Sequence, residues 1–389
     1  MYVWPKVDIE ALRSYRFGVV RDLMATQSVD QLLLTGADHI RYATDFRAHL
    51  TNEPDWFVMI VDVEGQSDVF VPYVDEVIFV PDPLLPGLAA MHPLSSWSPA
   101  LGNPKYWVTQ VAAELRRRGA HHVGYDTIDA RLLSDLEREL PGVRFTSVGE
   151  ELYLARQVKH PIEIELIEAA CRVNTGGLEK ALSVAAAGLT DHDILAAAMQ
   201  YQQSAGVENV THSVCNLRKG SGDWFAYGAR LREGDAFFFD IGCYGVGGYA
   251  SDAARTGFIG EPHPEVLRAF RHLLVAHDLA QSLVRPGVKA SEVQDAVNGY
   301  LMGQGLGLTP YAVGHGIGLR ICELPNINDR SRMDRDLVFE SGHVIALEPE
   351  TSVEVDGQLI VLKIEDNFAL EGSTLRALTV APTLEQLII

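Results

Sequence analysis

Apolar residues recur at helical spacing over 8–24, after which the pattern changes to short apolar runs at 31–34, 56–63 and 68–71, bounded by turn residues as strands are. A helix over 106–118, a strand over 121–125 and a helix over 132–140 follow, ending at Pro141 and Gly142. This alternating first half closes near residue 150. Beyond it Pro161 opens a helix whose apolar stripe is Ile164, Ile167 and Ala170. The domain boundary is placed at Val158 to Pro161. Helical patterns continue through Leu182 and recur over 191–203, 265–283 and 290–302, while strand patterns cover 236–241, 249–259, 344–349 and 358–368.

Each of these later strands carries an acid. Asp240 ends the run Phe237-Phe-Phe-Asp240, Asp252 lies in 249–259, Glu348 in Ile345-Ala-Leu-Glu348 and Glu365 in Leu362-Lys-Ile-Glu365. A strand-ending Asp often only begins a turn. Glu348 and Glu365 sit inside apolar strands, where an ionised carboxylate costs several kcal/mol unless a cation or hydrogen bonds offset it. His315 stands in Val313-Gly-His-Gly-Ile-Gly-Leu319, where the glycines permit close backbone approach and leave the ring reachable. Four carboxylates and an imidazole suit two divalent cations, manganese, iron, cobalt or zinc, with bridging acids shared between them.

Composition narrows the partners. The chain has 389 residues, 47% of them hydrophobic, enough for two ordinary cores. With 52 acidic against 32 basic residues the formal charge is −20, which disfavours nucleic acid and anionic membrane surfaces and leaves a small-molecule substrate as the expected partner. No apolar run reaches the length of a membrane span, and the first residues lack a signal-peptide pattern, so a cytoplasmic location is expected. Cys171, Cys215, Cys243 and Cys322 show no CxxC spacing, so reduced thiols are expected.

The order Asp, Asp, His, Glu, Glu, in Phe239-Asp240-Ile-Gly242, Ser251-Asp252-Ala-Ala-Arg-Thr256, Gly314-His-Gly-Ile-Gly-Leu319, Leu347-Glu-Pro349 and Ile364-Glu-Asp366, resembles the pita-bread superfamily of creatinase, prolidase, aminopeptidase P and methionine aminopeptidase. Arg156-Gln-Val-Lys159 followed by Glu163-Ile164 resembles the junction of its two-domain members. The implied fold is α/β (α+β). A creatinase-like α/β domain, 1–157, would precede a pita-bread catalytic domain, 158–389, with a curved, mainly antiparallel sheet covered by helices. The resemblance also implies a metal set in which Asp240 holds one ion, Asp252 and Glu365 bridge, and His315 and Glu348 hold the other. It further implies a homodimer, with Tyr42, Phe46, Arg47 and Trp56 as candidate lid or partner contacts.

Departures from the peptidases are equally specific. Tyr311 stands four residues before His315 and Cys322 before Glu323, where proline-specific peptidases place histidines; a third such position falls at Asp223 or Trp224. Each lost oxyanion donor typically costs a few kcal/mol. Asp240 and Asp252 are also one residue further apart than in those peptidases, an excess that Gly245, Gly247 or Gly248 could absorb as a bulge. This longer spacing, Ile40-Arg-Tyr-Ala-Thr-Asp45 and Trp224-Phe225 resemble the dimethylsulfoniopropionate (DMSP) lyases of the superfamily. Those lyases, however, carry an extra Asp at the position of Gly242 and another near Arg320-Ile-Cys322.

The leading expectation is a dinuclear hydrolase of a small amide, amidine or modified amino acid, weak on Xaa-Pro peptides. A metal-dependent lyase, an Xaa-Pro dipeptidase and a non-catalytic binding module are the alternatives. Glu348 is the candidate proton acceptor, Tyr311 or His212 the candidate donor to the leaving group. Trp224, Phe225 and Tyr227 are candidates for a substrate wall, and Cys322 for filling the space of a lost histidine.

Overall fold

The computed structural model describes residues 2–47, 57–71, 87–94, 102–216, 226, 228–379 and 387–389. They form two compact units, one of Asp8–Arg156 and one of Met1–Val7 with Gln157–Ile389.

In the first unit α1 (Ile9–Gln27) is followed by β1 (Gln31–Leu34), α2 (Ala37–Thr44), β2 (Val58–Asp62), β3 (Ser67–Val71), β4 (Leu88–Pro93), α3 (Pro104–Arg117), β5 (His122–Tyr125), α4 (Ala130–Glu139), β6 (Arg144–Ser147) and α5 (Gly149–Ala155). Asp8 starts α1 by accepting from the Ala11 N–H, and Asp129 starts α4 by accepting from Arg131 and Leu132. The strands form one mixed sheet in the order β4-β3-β2-β1-β5-β6, with β1 antiparallel to β2 and parallel to β5. Leu33, Ile60, Trp107 and Val123 are buried in its core.

The pattern of apolar positions does not disclose α2, whose Asp38 and His39 read as polar. Both are buried because Arg156 reaches them, at 2.6 Å to Asp38 Oδ2 and 3.1 Å to His39 Nδ1, so a tertiary contact decides this helix. The expectation that Tyr42 serves a lid or a partner is corrected here. Tyr42 is buried, with the guanidinium groups of Arg16 and Arg156 each 5.9 Å from its ring centre. Trp56 lies outside the described residues.

The second unit begins with α6 (Pro161–Val184), which carries a reciprocal cap. The His160 ring accepts from the Ile162 N–H, and the Glu163 carboxylate accepts from the His160 N–H. Then come α7 (Asp191–Ser204), β7 (Asn209–Asn216), β8 (Ala236–Tyr244), β9 (Ala250–Phe258), α8 (Pro264–Leu283), α9 (Ala290–Gly303), β10 (Gly314–Gly316), β11 (Glu323–Ile327), β12 (Val344–Leu347), β13 (Glu350–Val355), β14 (Gln358–Lys363), β15 (Asp366–Glu371) and β16 (Thr374–Ala377). A three-stranded sheet β7-β8-β9, a five-stranded sheet β11-β10-β12-β15-β16 and the hairpin β13-β14 are antiparallel throughout. Phe237 and Phe239, Phe270 of α8, Val297 of α9 and Ile345 share the core beneath the helices. The α/β class read from the sequence is what the chain forms.

One strand departs from its expected extent. The pattern over 358–368 reads as continuous, yet β14 ends at Lys363 and β15 starts at Asp366. The chain changes partners there, from β13 to β12 and β16, and Glu365 is held between by a bridge to Ala254. Among the described residues no helix is long and apolar enough to cross a membrane.

Asp126 offers a test of the first unit. Its carboxylate accepts from the N–H groups of Thr35 at 3.0 Å, Gly36 at 2.8 Å and Thr127 at 2.5 Å. Burial outweighs these donors and pushes its pKa up from 3.8 to about 6. A carboxyl that binds its proton more tightly when folded contributes stability that is complete below the unfolded pKa and lost as pH rises through the folded one. Wild type should therefore lose on the order of 3 kcal/mol relative to Asp126→Asn between about pH 3.5 and 7. Denaturant titrations at the two pH values measure this, and a gap that does not move with pH refutes it.

Candidate metal centre

The β8–β9 ladder pairs Asp240 with Ala254 and Gly242 with Asp252, so strand alternation puts both aspartates on one face. That ladder is unbroken from Ala236↔Phe258 to Tyr244↔Ala250, which corrects the expected bulge. The extra spacing lies in the turn, where Gly247 and Gly248 take φ of 86° and 76°. The bulge is instead on β7, between Val210 and Ser213, where Thr211 and His212 together face Gly242. A Cβ at position 242 would stand 2.2 Å from Thr211 Oγ1 and 3.0 Å from His212 Cε1. There is no room for a carboxylate there.

The bulge aims His212 into the site. Its Nε2 lies 3.0 Å from Asp240 Oδ1 and 3.3 Å from Asp252 Oδ1, and its Nδ1 lies 2.9 Å from Thr211 Oγ1. Burial alone would lower the imidazole pKa, but the charge of Asp252 and the hydrogen bond to Asp240 raise it to about 11. His212 is thus a cationic donor at neutral pH.

His315 sits on β10, where glycine is a steric requirement. A Cβ at Gly314 would come 2.3 Å from the Ala346 carbonyl oxygen, and one at Gly316 2.0 Å from that of Leu324. The ring Nδ1 is 2.9 Å from the Gly316 carbonyl, which can only accept, so Nδ1 carries a hydrogen and Nε2 is turned inward. That atom faces Glu348 Oε1 at 3.5 Å, Asp252 Oδ2 at 3.8 Å and Glu365 Oε1 at 3.8 Å. Glu348 is fixed where β12 gives way to β13 by its N–H to the Val313 carbonyl at 2.7 Å, and Glu365 by its N–H to the Ala254 carbonyl at 3.0 Å.

Neighbouring side chains lock this backbone. Arg255 donates to the Glu365 carbonyl and to Asp366 Oδ1, each at 2.6 Å. Asn367 accepts from the Asp252 N–H at 3.0 Å and donates to the Asp252 carbonyl at 2.6 Å. Such outer contacts orient a ligand set as much as the ligands themselves do.

Residues 165–371, more than half of the chain, match the description of metallopeptidase family M24. The chain belongs to this family. It is 26% identical over 262 residues to a putative dipeptidase, YkvY, of Bacillus subtilis, a match covering 66% of this chain and 70% of that protein. It is 24% identical over 251 residues to an Xaa-Pro dipeptidase of Pyrococcus horikoshii, covering 64% and 69% respectively. In fold it is similar to a prolidase from Thermococcus sibiricus, with a TM-score of 0.81 at 18% identity over 98% of this chain and 99% of that one. The expected pita-bread superfamily and the class of metal-dependent hydrolase are thereby shown.

This M24 chain has a donor set that fits a divalent cation. Asp252, His315 and Glu365 each place one ligand atom within 4.8 Å of the others, as do His212, Asp240 and Asp252. Asp252 Oδ1 and both oxygens of Glu365 are buried without a hydrogen-bond partner. Burial, and for Glu365 also the charge of Asp252, pushes both carboxyl pKa values up, the response of acids crowded without enough positive charge. Another acidic grouping, Asp68, His92 and Glu114, is already met by Arg117 and Arg118 on Asp68 and Glu114.

Sequence reasoning missed two members of the site. Lys363 puts its Nζ 2.6 Å from Asp240 Oδ2, 2.9 Å from Glu348 Oε2 and 3.5 Å from Glu365 Oε2, and is 2% exposed. The signal was there: a lysine two residues before Glu365 in an apolar strand. Glu350 accepts the Tyr311 hydroxyl hydrogen at 2.5 Å, tethering that ring. Burial raises the Tyr311 pKa, so it stays a neutral phenol. Cys322 is exposed. Trp224, Phe225, Tyr227 and Asp223 lie outside the described residues.

Gly242→Ala should drive Thr211 and His212 out of position and cost about 1–3 kcal/mol. Denaturant unfolding reads the loss, and an unchanged midpoint would show that the β7 bulge yields freely.

Proposed function

We propose that the chain is a metal-dependent hydrolase of the amide bond in a dipeptide-sized substrate, acting at the cluster of Asp240, Asp252, His315, Glu348 and Glu365. The observation that carries this reading is the buried Glu365 Oε1, which has no hydrogen-bond partner and lies 3.8 Å from the inward His315 Nε2, beside Asp252, whose Oδ2 is equally far from that nitrogen and whose Oδ1 also makes no hydrogen bond. Four carboxylates and one imidazole have the valence for up to two divalent ions. The dipeptidase names of its relatives support a dipeptide as the substrate to test first. A bound divalent cation supplies Lewis acidity there, acidifying water and polarising the scissile carbonyl.

The chain's own residues move the protons. Glu348 accepts the proton of the attacking water, its two oxygens being steered by His315 at 3.5 Å and Lys363 at 2.9 Å. Tyr311, a neutral phenol whose one hydrogen rests on Glu350, donates to the oxyanion or the departing amine when that hydrogen turns from Glu350, in the place where an Xaa-Pro peptidase has an imidazole. His212 is occupied by Asp240 and Asp252, and orients them. A phenol tethered to Glu350 is a poorer acid than an imidazolium, which supports slow turnover of Xaa-Pro peptides.

Three outcomes test the reading. Metal-loaded protein incubated in ¹⁸O-labelled water with a panel of dipeptides, Xaa-Pro dipeptides and N-acyl amino acids should place the label in the new carboxylate. Turnover that yields an alkene without label would replace hydrolysis by elimination, and no turnover on any amide would refute the proposal. Tyr311→Phe should lower kcat/KM by about 10²-fold while leaving metal content unchanged. Asp252→Ala should abolish metal binding and activity together, whereas Cys322→Ala should keep its metal; elemental analysis finding full metal in the Asp252 variant refutes the ligand assignment.

A further inference from the structure

We propose that the Lys363 ammonium takes one of the two cation positions of this centre, so that the chain works with a single divalent ion held by Asp252, His315, Glu348 and Glu365. The inference rests on the metal-centre reading above and concerns its count. Three carboxylates converge on the Lys363 Nζ, Asp240 from within β8 at 2.6 Å, Glu348 after β12 at 2.9 Å and Glu365 between β14 and β15 at 3.5 Å. The first two are the distances of charge-assisted hydrogen bonds, and the third is a longer ion pair.

The two ends of the cluster differ in how far their atoms are already satisfied. At Asp240 both oxygens are engaged, Oδ2 by Lys363 and Oδ1 by the His212 Nε2 at 3.0 Å. At the other end Asp252 Oδ1, Glu365 Oε1 and Glu365 Oε2 make no hydrogen bond, the nearest cationic atoms being His212 Nε2 at 3.3 Å from Asp252 Oδ1 and Lys363 Nζ at 3.5 Å from Glu365 Oε2, although Asp252 is 5% and Glu365 0% exposed. His315 Nε2 stands 3.5 Å from Glu348 Oε1 and 3.8 Å from Asp252 Oδ2 and Glu365 Oε1. Those separations are too long for hydrogen bonds. They approach the spacing of about 3.0–3.4 Å between donors that share an ion at about 2.1 Å. One end therefore calls for a cation while the other already has one.

Lys363 cannot swing away at little cost. It is 2% exposed, its N–H donates to Thr256 Oγ1 at 3.0 Å, and its carbonyl accepts from the same hydroxyl at 2.8 Å. Its ammonium also lies 5.8 Å from the centre of the Tyr311 ring. Displacing it would bury an amine without partners. An ammonium supplies charge and donors but no open coordination position, so only the His315 end can bind a ligand directly to metal.

The test reads metal rather than turnover. Full-length protein freed of metal, loaded with excess manganese and desalted should hold about one ion per chain and give the spectrum of an isolated manganese ion by electron paramagnetic resonance. Lys363→Met should hold about two and show the broadened spectrum of a coupled pair. Asp240→Asn, which removes an acid that serves the ammonium, should keep its single ion. Two coupled ions in the wild type, one ion in Lys363→Met, or no ion in Asp240→Asn would each overturn the inference and leave the metal-centre reading standing. No manganese in the wild type at all would overturn both. If Lys363→Met does not fold, the wild-type count and Asp240→Asn decide.

Discussion

Four carboxylates forced together out of water are the constraint on which the catalytic unit is built. Asp240, Asp252, Glu348 and Glu365 are each 8% exposed or less, and like charges at such range cannot all stay ionised without positive charge among them. The chain supplies part of that charge itself, through Lys363 and His212. Asp240 shows the effect most clearly: burial alone would raise its pKa, but the Lys363 ammonium and His212 hold it well below the usual carboxylate range. Asp252 and Glu365, further from that charge, are pushed the other way. The charge gradient across a few ångströms is what makes one end of the cluster a place for a cation.

Holding acids in that arrangement requires backbones to come closer than side chains allow. Gly314 and Gly316 let β10 lie against carbonyls of Ala346 and Leu324, and Gly242 leaves space for the β7 bulge that delivers His212. The break between β14 and β15 is part of the same solution. Were the strand continuous, Glu365 could not both bond Ala254 across to β9 and precede a strand that pairs with β12. His315, Glu348 and Glu365 thus come from places where ladders bulge, end or change partner, which is where a sheet can re-aim a side chain, whereas Asp240 and Asp252 stand on one face of the unbroken β8–β9 ladder.

This explains what could and could not be read along the chain. Apolar runs interrupted by single acids marked Asp240, Asp252, Glu348 and Glu365, and glycines flanking a histidine marked His315, because each is an anomaly against its immediate surroundings. The helices α6 to α9 were legible from their apolar stripes. His212 was only a candidate, since its approach depends on a bulge set by pairing with β8. Lys363 was visible as a residue but not as a partner: its meaning depends on Asp240, 123 residues earlier. The helix α2 escaped for the same reason, being stabilised by Arg156 from far along the chain.

The neutral Tyr311 and the charged Lys363 belong to one electrostatic arrangement. A second imidazolium near Lys363 would add positive charge beside Asp240 and Glu348, which the ammonium already serves. A neutral phenol adds none; its one hydrogen rests on Glu350, whose pKa is raised chiefly by burial, and can turn from there to the site. The Tyr311 ring, 5.8 Å from Nζ, also shields the ammonium with a polarisable face instead of water. Lysine and tyrosine are therefore best understood as a pair: the first supplies a fixed charge, and the second retains proton donation without competing for the same carboxylates.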